Sequence, residues 1–329
     1  MLRIAIVNSS SFGKYFPEHI ERLKALGEVA RFDFPVNIEG KSLAEALQGY
    51  NVIIASVKPY YTHEFFEHKD QTLLIARHGI GVDNVHLPSA AKRGVIVTKV
   101  TPWVEREAVA ELAVALLLDI LRLTHEARRA VYKSRWAERA RFVGFEIKHK
   151  TVGIIGIGNI GSRVAEILRH GFGANTIAYD PYLAPDTIRS RAAEPVDLDD
   201  LLQQSDIISL NASLNEGNYH MLSYREFALM KQGVFLVNTA RGELIDEDAL
   251  VAAIESGRVA AIGMDVVEGE PIDGSHRLLK YPNVLIVPHI AAYTRESLRL
   301  MGEKVVQDVE RIARGEMPED VVTPQEVQS

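Results

Sequence analysis

The sequence predicts an α/β protein of two domains, each built around a doubly wound parallel sheet. Two sets of short apolar segments alternate with helical patterns along the 329 residues, which is typical of parallel sheets covered by helices. A glycine-rich turn joins a buried strand to a helix near the middle of the chain. A chain of this length usually exceeds what one hydrophobic core supports, which favours two domains.

The predicted strands are short runs rich in valine, isoleucine and leucine, bounded by turn residues. The first set consists of Leu2–Val7, Val29–Phe34, Val52–Ala55, Leu73–Ala76 and Val95–Thr98. The second set consists of Val152–Ile155, Thr176–Tyr179, Asp206–Leu210, Val234–Asn238, Ala260–Met264 and Val284–Val287.

Two long helices flank the second set. The first is predicted to begin at Pro102, because threonine at 101 is a good N-cap and proline suits the first helical position. Its apolar residues keep helical spacing to Leu123. Trp103, near its start, is expected to be a packing residue rather than a wall of the substrate site. A second amphipathic helix follows Thr294. We therefore expect a discontinuous first domain, residues 1–101 and 292–329, with a second domain, 102–291, inserted into it.

Composition and charge exclude several classes of function. The net charge of −7 argues against a nucleic-acid partner, which needs a basic face. The basic segment Arg128–Lys150 is therefore interpreted as a surface helix and connecting loop, touching a second subunit in one reading. The absence of cysteine excludes disulfides, thiolate catalysis and zinc–sulfur sites. No signal-peptide pattern opens the chain, and the longest apolar stretch, 112–118, is too short to span a bilayer. We expect a soluble cytoplasmic protein that does not bind membranes.

The glycine-rich turn carries a dinucleotide-binding fingerprint in its expected context, between a strand and a helix. Gly156 permits the tight turn, and Gly158 lets the backbone approach a pyrophosphate. Gly161 lets the helix pack closely on its strand. Asn159 and Ile160 open that helix, whose N-terminal N–H groups attract phosphate.

Asp180 ends the following strand, 19 residues past Gly161. Its carboxylate can accept hydrogen bonds from the ribose hydroxyls and would repel a 2′-phosphate. No basic residue follows it until Arg189, which also favours NAD over NADP. The sequence thus predicts a Rossmann domain that binds NAD.

Polar residues follow three later strands, where ligands of open parallel sheets bind. Arg241 comes after 234–238, Glu270 after 260–264 and His289 after 284–287. Each alone has an ordinary explanation: Arg241 as a loop cation, Glu270 as a solvated carboxylate and His289 as a structural histidine. Their occurrence at successive strand ends favours a catalytic set.

The chemistry of these groups suits hydride transfer to a 2-keto acid. A protonated histidine can give a proton to the carbonyl oxygen and take it back in the reverse reaction. A carboxylate beside the imidazole orients it and favours its charged form. A guanidinium binds a substrate carboxylate with a planar fork. We assign His289 as acid/base, Glu270 as its orienting partner and Arg241 as substrate anchor.

These residues lie in motifs that resemble the D-isomer-specific 2-hydroxyacid dehydrogenase family over nearly the whole chain. The resemblance is closest to its phosphoglycerate dehydrogenase and glyoxylate-hydroxypyruvate reductase branch. The motifs are Gly153–Gly161, Asn238–Leu250, Gly263–Pro271 and Pro288–Ala292.

The resemblance implies a fold in which a Rossmann NAD domain is inserted into a flavodoxin-like substrate domain. It also implies NAD in the cleft and a homodimer built largely by the nucleotide domains. Asp265 is implied to meet the nicotinamide carboxamide. Thr101, Ala212, Thr239, Ala240 and Ala292 are implied to line the cofactor. The chain departs from the family at 210–213, where it reads Leu-Asn-Ala-Ser and many members have His-Val-Pro or His-Thr-Pro.

The segment Arg77-His78-Gly79-Ile80-Gly81 resembles the family's substrate loop, in which backbone N–H groups would hold the substrate carboxylate. His78 stands where members usually carry a small residue. Three roles are open for His78: its ring narrows the substrate pocket, it pairs with an acidic substrate, or it points to solvent. Arg77 could meet a phosphate or a second carboxylate. Asp83 and Asn84 are expected to cap the following turn.

The sequence thus predicts an NAD-dependent oxidoreductase acting on a small D-2-hydroxy acid or 2-keto acid, without a metal. Two alternatives stay open. One is a non-enzymatic protein that senses NAD(H), and the other is a related formate or phosphonate dehydrogenase.

Overall fold

Five parallel strands form the first sheet of the computed structural model, which describes residues 1–324. Four short helices connect these strands in alternation. The strands are β1 (Leu2–Val7), β2 (Gly27–Phe32), β3 (Val52–Ala55), β4 (Leu74–Arg77) and β5 (Ile96–Thr98), and the helices are α1 (Glu18–Lys24), α2 (Gly40–Ala46), α3 (His63–His68) and α4 (Leu87–Lys92).

The first sheet has the strand order β2-β1-β3-β4-β5, which is the flavodoxin-like order. Alternate residues of a strand face opposite sides of a sheet. Accordingly Ala5 and Val7 of β1 belong to one buried cluster, and Ile4 and Ile6 to the other. Both faces are covered, which is why the strands read as continuous apolar runs.

The second sheet has seven parallel strands, again alternating with helices. The helices are α5 (Pro102–Arg122), α6 (Thr124–Tyr132), α7 (Asn159–Glu166), α8 (Pro185–Ser190), α9 (Leu198–Gln204), α10 (Tyr224–Leu229) and α11 (Glu247–Glu255). The strands are β6 (Thr151–Ile155), β7 (Asn175–Tyr179), β8 (Glu194–Pro195), β9 (Ile207–Leu210), β10 (Val234–Asn238), β11 (Val259–Met264) and β12 (Val284–Ile286).

The order of the second sheet is β12-β11-β10-β9-β6-β7-β8. The chain winds outward from β6 in both directions, so the switch point lies between β6 and β9. Val152 and Ile154 of β6 face the cluster that contains the apolar stripe of α5, whereas Ile155 faces the cluster of α9 to α11. The predicted fold class, two doubly wound parallel sheets with a Rossmann-type second sheet, is confirmed.

The described chain divides into two compact units. One unit comprises Met1–Glu105 and the chain from Ala292 onward, and the other comprises Arg106–Ala291. The predicted assignment of a substrate domain and an NAD domain to these parts stays a prediction. The last five residues, 325–329, which fall within the predicted first domain, lie outside the described residues.

The long helix near the C-terminus is α12 (Arg295–Ala313). Its N-cap is Thr294, whose side chain accepts a hydrogen bond from the backbone nitrogen of Ser297 at 3.1 Å. Leu298 and Met301 are buried against Val104, and the rest of the apolar face joins the first sheet's core at Val305, Val306 and Val309.

The basic segment forms a surface helix and connecting loop, as expected. Helix α6 is followed by a short 3-10 helix, Trp136–Arg141, and the exposed apolar residues of the segment include Tyr132, Trp136 and Val143. Contact of this surface with a second subunit stays a prediction. The expectation that Trp103 packs is wrong for this chain, because its side chain is 60% exposed.

Within residues 1–324, no helix combines the length and apolar character needed to cross a membrane. In the same residues no group of three or more His, Asp or Glu side chains is placed to hold a metal ion.

Candidate active site

The glycine loop between β6 and α7 has a conformation that only glycine accommodates. Gly156 has a φ of +80°, and a Cβ there would stand 2.6 Å from the Cα of Ala212. A Cβ on Gly161 would stand 2.0 Å from the carbonyl oxygen of Gly156, so its absence lets α7 approach the strand. At Gly158 a Cβ would meet no atom within 4 Å. This open backbone at the start of a helix fits the phosphates of a dinucleotide.

Asp180 lies at the end of β7 and holds the glycine loop from one side. Its Oδ2 accepts a hydrogen bond from the backbone nitrogen of Ile157 at 3.1 Å, and its Oδ1 accepts one from Tyr182 at 3.1 Å. The carboxylate is thereby fixed beside the glycine loop, and its contact with the ribose of a cofactor stays a prediction.

Arg191 holds the same loop from the other side, which the sequence did not indicate. Its Nη1 donates to the carbonyl oxygen of Ile157 at 2.6 Å. Arg189, the basic residue noted from the sequence, instead pairs with Asp186 at 2.7 Å on the surface. No sequence signal marks Arg191, because its place beside the loop depends on β8, the short neighbour of β7.

The turn after β10 presents Arg241. Asn238, fully buried, accepts a hydrogen bond from the backbone nitrogen of Ala240 at 3.0 Å and donates to the carbonyl oxygen of Arg241 at 2.8 Å. The Nη1 of Arg241 donates to the carbonyl oxygen of Ala240 at 2.8 Å. Thr239, in the same turn, is buried. The turn is therefore shaped by one buried amide side chain.

This turn lies directly against the loop after β11. A Cβ on Gly242 would stand 2.1 Å from the backbone nitrogen of Glu268, so glycine is required for the two loops to touch. The structure thus brings the backbone next to Arg241 into contact with the loop that carries Glu270.

Asp265 follows β11 and anchors the segment that contains His289. Its Oδ1 accepts a hydrogen bond from the backbone nitrogen of Ile290 at 2.7 Å, and its Oδ2 accepts one from Ala291 at 2.8 Å. Burial raises the pKa of the Asp265 carboxyl to about 6, although these two hydrogen bonds and the charge of His289 act in the opposite direction. The sequence resemblance gave Asp265 a cofactor contact, which stays a prediction.

His289 and Glu270 form a hydrogen-bonded pair. The Nδ1 of His289 contacts the Oε1 of Glu270, and the other oxygen of Glu270 accepts a hydrogen bond from the backbone nitrogen of Val267 at 3.2 Å. His289 has a φ of +51°, a conformation that is uncommon for a non-glycine residue and clusters at functional sites. The side chains of His289 and Glu270 are 30% and 26% exposed, so the pair is accessible.

A second carboxylate in the same loop is held by two side chains that sequence reasoning missed. The Oε1 of Glu268 accepts a hydrogen bond from the hydroxyl of Tyr219 at 2.7 Å, and its Oε2 lies 2.7 Å from the Nε2 of His220. The two rings stack, with centroids 3.9 Å apart. We call Tyr219, His220 and Glu268 the loop clamp. The one local signal for Glu268 is the Glu-Gly-Glu spacing at 268–270, which does not indicate Tyr219 or His220 as its partners.

The predicted substrate loop lies in the first unit. His78 is 7% exposed, and its ring meets that of Phe12 edge-on, with centroids 5.2 Å apart. Burial, reinforced by the charge of Arg77, lowers the pKa of His78 to about 3. The alternative that His78 points to solvent is therefore wrong, and its ring is neutral at physiological pH.

Arg77 is also buried, and its Nη1 donates to the carbonyl oxygen of His78 at 3.0 Å. Asn84 donates to the carbonyl oxygens of Ser56 at 2.9 Å and Pro59 at 3.0 Å. The expectation that Asn84 caps the following turn is wrong, because its amide instead ties this loop to the one after β3. Substrate contacts of 77–81 stay predictions.

The structure brings the second-unit candidates to one edge of the second sheet, at the carboxyl ends of β6, β7 and β9 to β12. These are Gly156, Gly158, Asn159, Ile160, Gly161, Asp180, Ala212, Thr239, Ala240, Arg241, Asp265, Glu270 and His289. Thr101 and Ala292 belong to the other unit. There the hydroxyl of Thr101 donates to Asp320 at 2.8 Å, and its cofactor contact stays a prediction.

Comparison with known proteins extends these observations. Residues 114–291 match the family model described as the NAD-binding domain of D-isomer specific 2-hydroxyacid dehydrogenases. A glyoxylate reductase of Thermococcus litoralis is 36% identical over 286 residues, 85% of this chain and 86% of the relative. A D-3-phosphoglycerate dehydrogenase of Methanocaldococcus jannaschii is 34% identical over 307 residues, 93% of this chain. The match spans only 58% of that relative's length.

A solved structure shares the fold. The D-lactate dehydrogenase of Aquifex aeolicus, complexed with NAD and lactic acid, superposes with a TM-score of 0.84 at 28% identity. The superposition covers 97% of this chain and 98% of that one.

Proposed function

This chain belongs to the D-isomer specific 2-hydroxyacid dehydrogenase family, and from that premise we propose that it interconverts a small D-2-hydroxy acid and the matching 2-keto acid. The family establishes the enzyme class, an NAD-dependent oxidoreductase, and NAD as the cofactor that the fingerprint predicted. The observation that carries the proposal is the contact between His289 Nδ1 and Glu270 Oε1 at the edge of the sheet that carries the glycine loop.

The proton step follows from this contact. Bound NADH supplies the hydride, and every other task falls to the side chains. Because Nδ1 of His289 faces Glu270, Nε2 is the ring nitrogen left to give a proton to the carbonyl oxygen of the keto acid. Glu270 balances the charge of the imidazolium and fixes its ring orientation. A positioned acid of this kind contributes about 10²- to 10⁴-fold to the rate.

Arg241 has the task of binding the substrate. Its guanidinium presents planar paired donors that match a carboxylate or polarise a carbonyl. The packing of Gly242 on Glu268 sets the position of this turn relative to the loop of Glu270. Substrate anchoring and proton transfer are thus supported by touching loops.

The proposed substrate is a small keto acid of the glyoxylate or hydroxypyruvate type. The neutral, buried state of His78 argues against its pairing with a second acidic group of the substrate. The Thermococcus litoralis relative, matched over 86% of its length, is a glyoxylate reductase. The first unit is proposed to bind the substrate through the backbone of 79–81. The homodimer and the cytoplasmic location stay predictions.

The test is NADH oxidation, followed by absorbance, against a panel of 2-keto acids from glyoxylate and hydroxypyruvate to branched, aromatic and phosphorylated ones. His289→Gln removes the acid, and His170→Gln, an exposed histidine of the same unit, is the matched control. We expect turnover that disappears only in His289→Gln. NADH binding without turnover of any keto acid would instead favour the NAD-sensing alternative. Formation of NADH from NAD⁺ with formate or a phosphonate would favour the alternative of a formate or phosphonate dehydrogenase.

A further inference from the structure

The backbone of Ile157, in the middle of the glycine loop, is held at both ends by charged side chains. Its N–H donates to the Asp180 carboxylate at 3.1 Å, and its carbonyl oxygen accepts from the Arg191 guanidinium at 2.6 Å. The two contact distances and the N–Cα, Cα–C and C=O bonds of Ile157 together set an upper limit on the separation of the two charged groups. They therefore lie within about 10 Å of each other. A carboxylate and a guanidinium group therefore lie at the same turn.

Arg191 is placed by its own surroundings. Its backbone nitrogen donates to the carbonyl oxygen of Ile188 at 2.9 Å. The next residue, Ala192, has a φ of +62°, and its carbonyl oxygen accepts a hydrogen bond from the hydroxyl of Thr176 on β7. Ala193 after it is fully buried. The backbone that carries the guanidinium is thus attached to β7, the strand that directly precedes Asp180.

The pair of charges bears on the choice between the two nicotinamide cofactors. NADP differs from NAD by a phosphate on the adenosine ribose, which a carboxylate repels and an arginine binds. The guanidinium has five N–H donors, and the contact with Ile157 uses one of them. It can hold the loop and a phosphate at the same time.

We propose that Arg191 is a cofactor-specificity residue, the cation that meets a ribose 2′-phosphate at the turn where the sequence already predicts that Asp180 opposes NADP. Arg189 does not serve this purpose, because Asp186 at 2.7 Å and Glu194 at 3.6 Å engage its guanidinium.

The test is equilibrium binding, which needs no catalysis. NADPH and NADH are titrated by protein and nicotinamide fluorescence, and 2′-phospho-AMP and AMP by calorimetry, so that the adenosine end is measured alone. In Asp180→Ala we expect the NADPH:NADH affinity ratio to rise about tenfold or more, the factor for one charged hydrogen bond. Adding Arg191→Gln should cancel that rise, while adding Arg189→Gln should preserve it.

Ratios are used because loss of the Arg191 contact with Ile157 should weaken both cofactors equally. Arg191→Lys keeps the positive charge, so in the Asp180→Ala background it should retain part of the rise in the NADPH:NADH affinity ratio. It also serves as the test if the Arg191→Gln variant folds poorly. A ratio in Asp180→Ala that does not rise, or that rises and survives Arg191→Gln, overturns the proposal. Because only binding is measured, absence of keto-acid turnover would contradict the proposed function without affecting this result.

Discussion

The carboxylate of Asp265 accepts a hydrogen bond at 2.7 Å from the backbone nitrogen of Ile290, the residue that follows His289. The backbone nitrogen of His289 in turn donates to the carbonyl oxygen of Asp265 at 2.9 Å. The end of β11 and the histidine segment are therefore joined by both the main chain and the side chain of one aspartate. This carboxyl group is buried, and because burial disfavours its ionised form, the pKa of Asp265 is raised to about 6.

This raised pKa predicts a pH-dependent part of the stability. The folded state binds the proton more tightly than the unfolded chain, whose value is 3.8. The resulting stabilisation is full below about pH 4 and is lost as the pH rises through about 6, a change of roughly 3 kcal/mol. Asp265→Asn cannot titrate, so wild type should lose about this much relative to the variant between pH 4 and 7. Thermal unfolding across that range measures the difference, and a pH-independent difference would contradict the prediction.

Glu270→Gln should lower kcat without weakening NADH binding. Glutamine keeps the shape and can still accept the hydrogen bond from Val267, but it has no charge to balance the imidazolium of His289. We expect kcat to fall by about 10²-fold, at the lower end of what acid–base catalysis supplies. Steady-state kinetics and NADH fluorescence titration measure the two quantities. A kcat close to that of wild type would remove Glu270 from the proposed mechanism.

The loop clamp should support substrate binding through Arg241. Glu268 is held by Tyr219 and His220, and its backbone touches the residue after Arg241. In Glu268→Ala we expect the KM for the keto acid to rise about tenfold while the Kd for NADH is unchanged, since a misplaced anchor loses about one charged hydrogen bond.

Two variants make this prediction specific. Tyr219→Phe removes only one of the two contacts and should have a smaller effect on KM. Glu216→Ala, an exposed carboxylate in the same stretch as the clamp, should have none. Equal losses of NADH and keto-acid binding in Glu268→Ala would indicate general disorder of the site instead.

Much of the fold follows from local patterns of the chain. The apolar runs at Leu2–Val7, Val52–Ala55 and Val234–Asn238 have the bounds expected from the sequence, because strands that are covered on both faces read as nearly continuous apolar runs. Strand β8, Glu194–Pro195, could not be predicted, because it is two residues long and contains neither apolar periodicity nor β-branched residues.

The missed residues of the site have a different cause. Arg191 contacts a residue 34 positions away, and His220 contacts one 48 positions away. Such pairs depend on which loops the sheet order places side by side, and no local pattern encodes that. The exposure of His78 was ambiguous for the same reason, since the burial of its ring depends on residues distant in sequence such as Phe12.

The last prediction concerns a buried ion pair on α12. The Nζ of Lys304 lies 2.7 and 2.8 Å from the two oxygens of Asp308, and these side chains are 9% and 3% exposed. Burial raises the pKa of the Asp308 carboxyl in spite of its bond to Lys304, so the aspartate depends on its partner. Lys304→Met should destabilise the protein by about 3–5 kcal/mol, because it leaves an uncompensated buried charge.

Replacing both partners tests whether the pair itself stabilises the fold. In Lys304→Met/Asp308→Leu no buried charge is left, and the carbonyl oxygen of Glu319, which accepts from Lys304 at 2.9 Å, belongs to an exposed residue that water can reach. We therefore expect the double variant to recover most of the lost stability, because apolar replacements of buried pairs are often neutral. Urea unfolding of the four proteins gives the coupling energy. The exposed pair Lys41 and Glu45, 3.7 Å apart, is the matched control and should show no measurable coupling. A double variant as unstable as Lys304→Met would instead show that α12 needs the charges themselves.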